Sequence, residues 1–163
     1  MNVVELGTQR QKAHPFGTPR YYSDENLEDI IGLAGEVAFA KRYGLKPDLE
    51  IRPEGDKNID FKIEIDGTRI ATIDVKTAQK AFNLLVKEWE IQKCADVLVL
   101  CEYFKNQSIM FVGWASRKMM QGQPVKIFSS LNIPNYYLHR SKLKPMSELD
   151  AVFKKHKIRQ IFQ

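Results

Sequence analysis

The stretch from Asn58 to Thr77, NIDFKIEIDGTRIATIDVKT, decides how the chain is read. Asp66-Gly67 separates two runs in which apolar and polar residues alternate, the pattern of a β-hairpin. A three-residue turn with Gly67 left-handed sets Ile65 against Arg69, Ile63 against Ala71, Phe61 against Ile73 and Ile59 against Val75. The apolar residues of both strands then share one face. A two-residue turn would instead set Phe61 against Thr72 and Ile63 against Ile70, and such a one-residue slip exposes half of the buried face. In the favoured register Asp60 lies opposite Asp74 on the other face, and Lys76 follows Asp74 by two residues on that face. Like charges opposed across neighbouring strands repel unless something neutralises them, which is what a divalent cation does.

Upstream, Ser23 or Asp24 is placed to cap a helix running to about Tyr43, where Gly44 stops it and Pro47 follows. Within Ile30 to Ala40, IIGLAGEVAFA, Glu36 is the one charged side chain, so the helix is expected to be buried on several sides. Gly32 and Gly35 would each cost up to about 1 kcal/mol in an exposed helix, which points to close approach by another element. A carboxylate in such a helix demands a metal, a lysine or a water-filled cleft, because an unpaired buried charge is costly.

Downstream, the spacing of Phe82, Leu85, Val86, Trp89 and Lys93 predicts a helix from about Lys80 to Cys94. ADVLVLCEY reads as a central strand buried on both faces, Asn106-Gln107 as a turn and SIMFVGWA as a further strand. Ser116 is placed to cap a short helix through Gln121, on which Met119 and Met120 serve as packing residues. KIF and NYYLHR read as edge strands, the second with one buried tyrosine of Tyr136 and Tyr137. Ser147 with Asp150 resembles a capping box opening a last helix that carries Leu149, Val152 and Phe153. Trp89 and Trp114 are assigned to the core. The expected organisation is a polar arm over residues 1–24, punctuated by Pro15, Gly17 and Pro19, and one mixed α/β domain over 25–163.

Composition narrows the function classes. A hydrophobic fraction of 44% with 28% charged residues excludes a mostly disordered or collagen-like chain. The start, MNVVELGTQRQK, lacks an apolar signal core and no run is long enough to span a membrane, so an intracellular, cytoplasmic protein with no membrane partner is expected. Cys94 and Cys101 suit two reduced structural thiols. His14, His139 and His156 are too scattered for a zinc or histidine-based centre. From His139 onward seven basic residues stand against two acidic ones, which accounts for the whole net charge of +5. Such a basic end suits a polyanion, because Lys and Arg along phosphates displace condensed counterions.

Asp60, Asp74 and Lys76, joined by Glu36, make a site for hard-cation chemistry on a phosphate ester. Carboxylate oxygens suit Mg²⁺, with Mn²⁺ as substitute, and the lysine is placed to hold an attacking water and offset developing charge. Asp-x-Lys occurs twice, at Asp60-Phe61-Lys62 and Asp74-Val75-Lys76. The second is preferred for the carboxylate opposite it and the helix expected directly after it. The competing reading of Asp60, Lys62, Glu64, Asp74 and Lys76 is a solvated hairpin face, against which the buried Glu36 argues. Asp56, in the loop before the strand, ranks second to Asp60.

GLAGEVAFAKRYG, then Asn58-Ile59-Asp60, then Ile73-Asp74-Val75-Lys76-Thr77 resembles the core of the PD-(D/E)XK nuclease superfamily, the restriction-endonuclease-like fold. The resemblance covers roughly residues 25–115 and implies a central mixed β-sheet flanked by helices in the order αβββαβ. It places Glu36, Asp60, Asp74 and Lys76 as catalytic residues, with Asp60, Asp74 and Glu36 as metal ligands. Ile59 stands where that family usually has Pro. At the mouth of the site Thr77, Gln79 and Lys80 are the expected nucleic-acid contacts, and Arg140, Lys142 and Lys144 those of the basic end. The expectation is therefore a Mg²⁺-dependent endonuclease acting on DNA, with RNA as a further substrate class. With little room for a sequence-reading domain, a structure-selective or weakly specific enzyme is expected, such as a junction resolvase or a repair or phage nuclease, and by analogy a homodimer. The alternative is a non-catalytic nucleic-acid-binding or assembly protein on the same fold.

Overall fold

The computed structural model describes residues 25–49, 59–128 and 132–162. The arm, Ser23 and Asp24, Asp56 and Asn58 lie outside the described residues. Helix α1 (Glu25–Tyr43) ends at Gly44, whose φ of 66° is the left-handed stop read from the sequence. Strands β1 (Phe61–Ile65) and β2 (Arg69–Ala78) form the hairpin in the expected register, with Phe61 opposite Ile73, Ile63 opposite Ala71 and Ile65 opposite Arg69. Asp66 joins Gly67 in the left-handed region, with φ of 53° and 72°. Strands β4 (Val97–Tyr103) and β5 (Ile109–Ser116) follow, the first running parallel to β2.

The Lys80–Cys94 helix is not formed. That segment carries β3 (Asn83–Lys87) and a 3₁₀ turn at Glu88–Glu90. Leu84 and Val86 are buried while Phe82 and Trp89 are each 57% exposed, so the burial period is two, and Trp89 is not a core residue. An apolar run this short fits either period, and tertiary pairing with β7 (Pro134–His139) settles it. NYYLHR is therefore the centre of a three-stranded sheet, β3-β7-β6, and of the two expected edge strands KIF alone, as β6 (Val125–Ile127), lies at an edge. The last strand, β8 (Ile158–Ile161), pairs with β1 and was not anticipated. The main sheet is thus mixed, with order β5-β4-β2-β1-β8.

Helix α2 (Arg117–Gln121) starts as expected, the Ser116 hydroxyl accepting from Met119 N–H. Helix α3 (Met146–Lys155) does not use a capping box: Pro145 is its cap. Asp150 instead accepts two bonds from the Arg42 guanidinium, at 3.0 and 2.7 Å, and one from Tyr43 at 2.9 Å. These bonds, with Phe153 stacked on Tyr43 at 4.0 Å, fasten α3 to the end of α1.

The main sheet separates two apolar clusters. Phe39, Phe61, Ile73, Val75, Val99, Cys101 and Leu149 fill the α1 side, with Trp114 half-buried against it. Leu84, Val86, Cys94, Leu98, Leu100, Met120 and Leu138 fill the side covered by the small sheet. Alternation along β4 sends Leu98 and Leu100 one way and Val99 and Cys101 the other, which is why VLVLC is continuously apolar. Each fully buried large side chain contributes about 1.5–3 kcal/mol. Gly35 lets α1 approach β2: a Cβ there would stand 1.9 Å from Thr77 Oγ1. Gly32 has nothing within 4 Å, so close approach explains one glycine and not the other.

Candidate active site

Alternation on β2 turns Ile73 and Val75 to the α1 core and Asp74 and Lys76 to the opposite face. Asp74 is buried, and Lys76 Nζ lies 2.7 Å from its Oδ2. Asp60 stands just before β1, its amide donating to the Ile73 carbonyl at 2.9 Å. Its Oδ2 accepts the Val75 N–H at 2.6 Å, which pins the carboxylate to the neighbouring strand. Asp60 and Asp74 are near enough for the Asp74 charge to act on the Asp60 carboxyl. Sequence spacing foresaw this meeting of Asp60, Asp74 and Lys76.

Their electrostatics follow from burial. Burial, followed by the Glu36 and Asp74 charges, pushes the Asp60 carboxyl well above the usual carboxylate range. Asp74 is also raised by burial, although Lys76 opposes the shift. Burial works against the Lys76 ammonium, but Asp74, Asp60 and Glu90 outweigh it and the pKa is raised. The lysine is therefore a fixed cation rather than a proton carrier at neutral pH. Glu36 is buried on α1, and its charge acts on Asp60.

Asp74 and Lys76 open into a cleft of about 350 Å³ lined also by Leu85, Lys87, Glu90 and Asn135. Glu90 was missed because it becomes a wall only when the 79–96 crossover folds as strand and 3₁₀ turn. Lys87 Nζ reaches its Oε1 at 3.4 Å. Cys94 also lines the cleft, but burial raises its thiol and its Sγ donates to the Ile91 carbonyl at 3.3 Å. Burial pushes Cys101 up to about 12, so both thiols are structural.

The remaining expected contacts are dispersed. Thr77 turns to Gly35, its Oγ1 buried with no hydrogen-bond partner, so it is not at the cleft mouth. Gln79 and Lys80 are exposed at the end of β2. Arg140 is held by Glu102 at 2.9 Å. Lys144 lies over the Trp114 ring, 5.0 Å from its centre, and 3.4 Å from Glu148. Lys142 is exposed on a 3₁₀ turn. Part of the basic end is neutralised within the fold, Arg159 being likewise bonded to Glu64 at 2.9 Å.

Among the described residues no three His, Cys, Asp or Glu side chains are gathered into a metal-holding group. The donor chemistry present is a carboxyl pair, and Mg²⁺ is commonly held by one or two carboxylates with water and phosphate oxygens completing the shell. The Asp60–Asp74 pair fits that demand. No helix among the described residues is long and apolar enough to cross a membrane. No family model, curated protein or solved structure matches the chain.

Proposed function

We propose that the protein is a Mg²⁺-dependent endonuclease that hydrolyses DNA phosphodiester bonds on a restriction-endonuclease-like core. The observation that carries this reading is the buried Asp74 carboxyl, its charge acting on Asp60 just before β1 and the Lys76 ammonium 2.7 Å away, at the wall of an open cleft. A solvated hairpin face gives no reason to bury Asp74 beside a half-buried Asp60. The order α1, β1, β2 and then β4 parallel to β2 supports the core, although β3 and a 3₁₀ turn occupy the expected place of the second helix.

Asp60 and Asp74 would hold the ion, with the Glu36 charge adding to the negative potential around Asp60. When bound, the cation supplies Lewis acidity toward the phosphodiester. Val75 N–H keeps Asp60 oriented for that task. Lys76, charged and partly exposed to the cleft, donates hydrogen bonds to a water or a non-bridging phosphate oxygen and stabilises the charge that develops there. Its fixed position, set by strand and ion pair, removes a reorganisation cost from the reaction.

The test is cleavage of plasmid, single-stranded, flap and four-way-junction DNA and of RNA, with Mg²⁺, Mn²⁺ or EDTA, beside Lys76→Ala and Asp74→Ala. Metal-dependent cutting abolished by both substitutions is expected. If nothing is cut while DNA still binds with a steep salt dependence, the catalytic reading fails and the fold serves as a binding scaffold.

A further inference from the structure

The small sheet carries its lysines in one row. Lys87 of β3 pairs with Asn135 of β7, and Lys126 of β6 pairs with the same Asn135 from the other side. Lys87 and Asn135 also line the cleft, so the row begins there and crosses the sheet. Two strand spacings put the ends of the row about 10 Å apart.

Each lysine sits on an aromatic ring. Lys87 Nζ is 5.7 Å from the centre of Trp89, and Lys126 Nζ is 5.5 Å from that of Phe128. Both rings are open to solvent, Trp89 at 57% and Phe128 at 41% exposure. Phe128 is braced edge-on by Tyr137 at 5.1 Å. Trp89 is held beside the cleft by the 3₁₀ turn that also presents Glu90. Rings fixed in place with a free face, interleaved with ammonium groups, are what nucleotide bases and phosphates bind. Lysine is depleted at the centres of protein–protein interfaces, yet here one accompanies each ring; Lys87 is shared with Glu90 at 3.4 Å, while Lys126 is exposed and is the ammonium that favours a polyanion.

Duplex DNA keeps its base faces stacked inside, so this strip has nothing to offer a duplex beyond charge. We propose that the strip from Trp89 and Lys87 across Asn135 to Lys126 and Phe128 binds an unpaired DNA strand, stacking on its bases and leading it to the cleft. The cleft end of that path rests on the nuclease reading. It makes the preferred substrate one with single-stranded nucleotides beside the scissile phosphate.

The test is fluorescence anisotropy of the full chain in EDTA with a labelled single-stranded DNA oligonucleotide of about 20 nucleotides, its duplex and the equivalent RNA. Single-stranded DNA is expected to bind about tenfold more tightly than duplex. Trp89→Ala and Phe128→Ala should each weaken single-strand binding by about tenfold and leave duplex binding within about twofold, while Trp89→Phe restores most of it. Lys126→Ala should lower the salt dependence of binding. Absence of single-strand binding, duplex binding as tight as single-strand, exclusive RNA binding, or unaltered binding by both alanine variants overturns the proposal. Cleavage in Mg²⁺ separates the two readings. Trp89-dependent binding without any Lys76-dependent cutting sinks the nuclease and leaves the strip, whereas cutting unaffected by both aromatic substitutions, with unaltered binding, does the reverse.

Discussion

Lys76 Nζ lies 2.7 Å from Asp74 Oδ2, two residues back on the same strand face, with Asp74 buried and Lys76 facing the cleft. The lysine thereby offsets a charge that the interior would not tolerate alone, while remaining within reach of a ligand. Lys76→Ala removes both services. It should lower cleavage at least about 100-fold and cost about 1–2 kcal/mol at neutral pH, below the usual toll for a fully buried pair because Lys76 is partly solvated. Chemical denaturation alongside the cleavage assay checks both, and an active Lys76→Ala enzyme would refute the assigned role.

The raised Asp60 carboxyl makes metal-free stability depend on pH. Between its ordinary value of 3.8 and its higher value in the fold, the native state binds more protons than the unfolded chain. Stability should therefore fall as pH rises through that window. Asp60→Asn keeps an acceptor for Val75 N–H and removes the charge, so it should raise the Tm at pH 8 in EDTA by about 2–4 °C. Mg²⁺ should stabilise the natural protein and not the variant. Thermal unfolding across pH, with and without Mg²⁺, reads all three effects.

The contact between α1 and β2 is set by Gly35 and Thr77. A methyl at position 35 would collide with Thr77 Oγ1, and the threonine Cβ would still be only 3.1 Å away. Gly35→Ala should cost about 1–3 kcal/mol. Thr77→Ala removes a buried hydroxyl with no partner and should be neutral or stabilising, and the double variant should recover much of the loss. Gly32→Ala, with open space around it, should gain about 0.5–1 kcal/mol. A double-mutant cycle by urea unfolding measures the coupling, and additive losses would show that the clash is relieved elsewhere.

Strand β8 is fastened to the hairpin through Asp66. Its carboxylate meets His156 Nδ1 at 2.6 Å and accepts the Lys157 N–H at 2.8 Å. The His156 and Lys157 bonds hold its pKa below the ordinary value, so their contribution is present above that value and is lost as pH falls through the lowered one. Asp66→Asn should make the Ile158–Ile161 amides exchange several-fold faster with little change in global Tm. Hydrogen exchange resolved to β8 and to β2 separates local release of the edge from general loosening.

Local pattern was enough for several features. The alternating runs around Asp66-Gly67 admit one register that buries Phe61, Ile63, Ile73 and Val75 together, and that register alone opposes Asp60 to Asp74. Gly44 stops α1 and Ser116 starts α2 because each acts within one turn of its own backbone. The same locality explains the failures. Phe82, Leu85, Val86 and Trp89 satisfy a helical spacing, but pairing with β7 supplies backbone hydrogen bonds and burial of Leu84 and Val86 that a surface helix would forgo. Asp150 was assigned to a cap because its true partners, Arg42 and Tyr43, are more than a hundred residues away.

The sequence by itself determined the hairpin, the chemical identity of the acid pair and its lysine, and the burial of Glu36, because strand alternation and the cost of an interior charge act locally. Tertiary structure alone decided which walls close the cleft, bringing Glu90 from a 3₁₀ turn and Asn135 from β7 to stand beside Lys76. It also redistributed the basic end, spending Arg140 on Glu102 and Arg159 on Glu64. Charge can be counted along a chain, but its availability to a ligand depends on which opposite charges the fold places within hydrogen-bond reach.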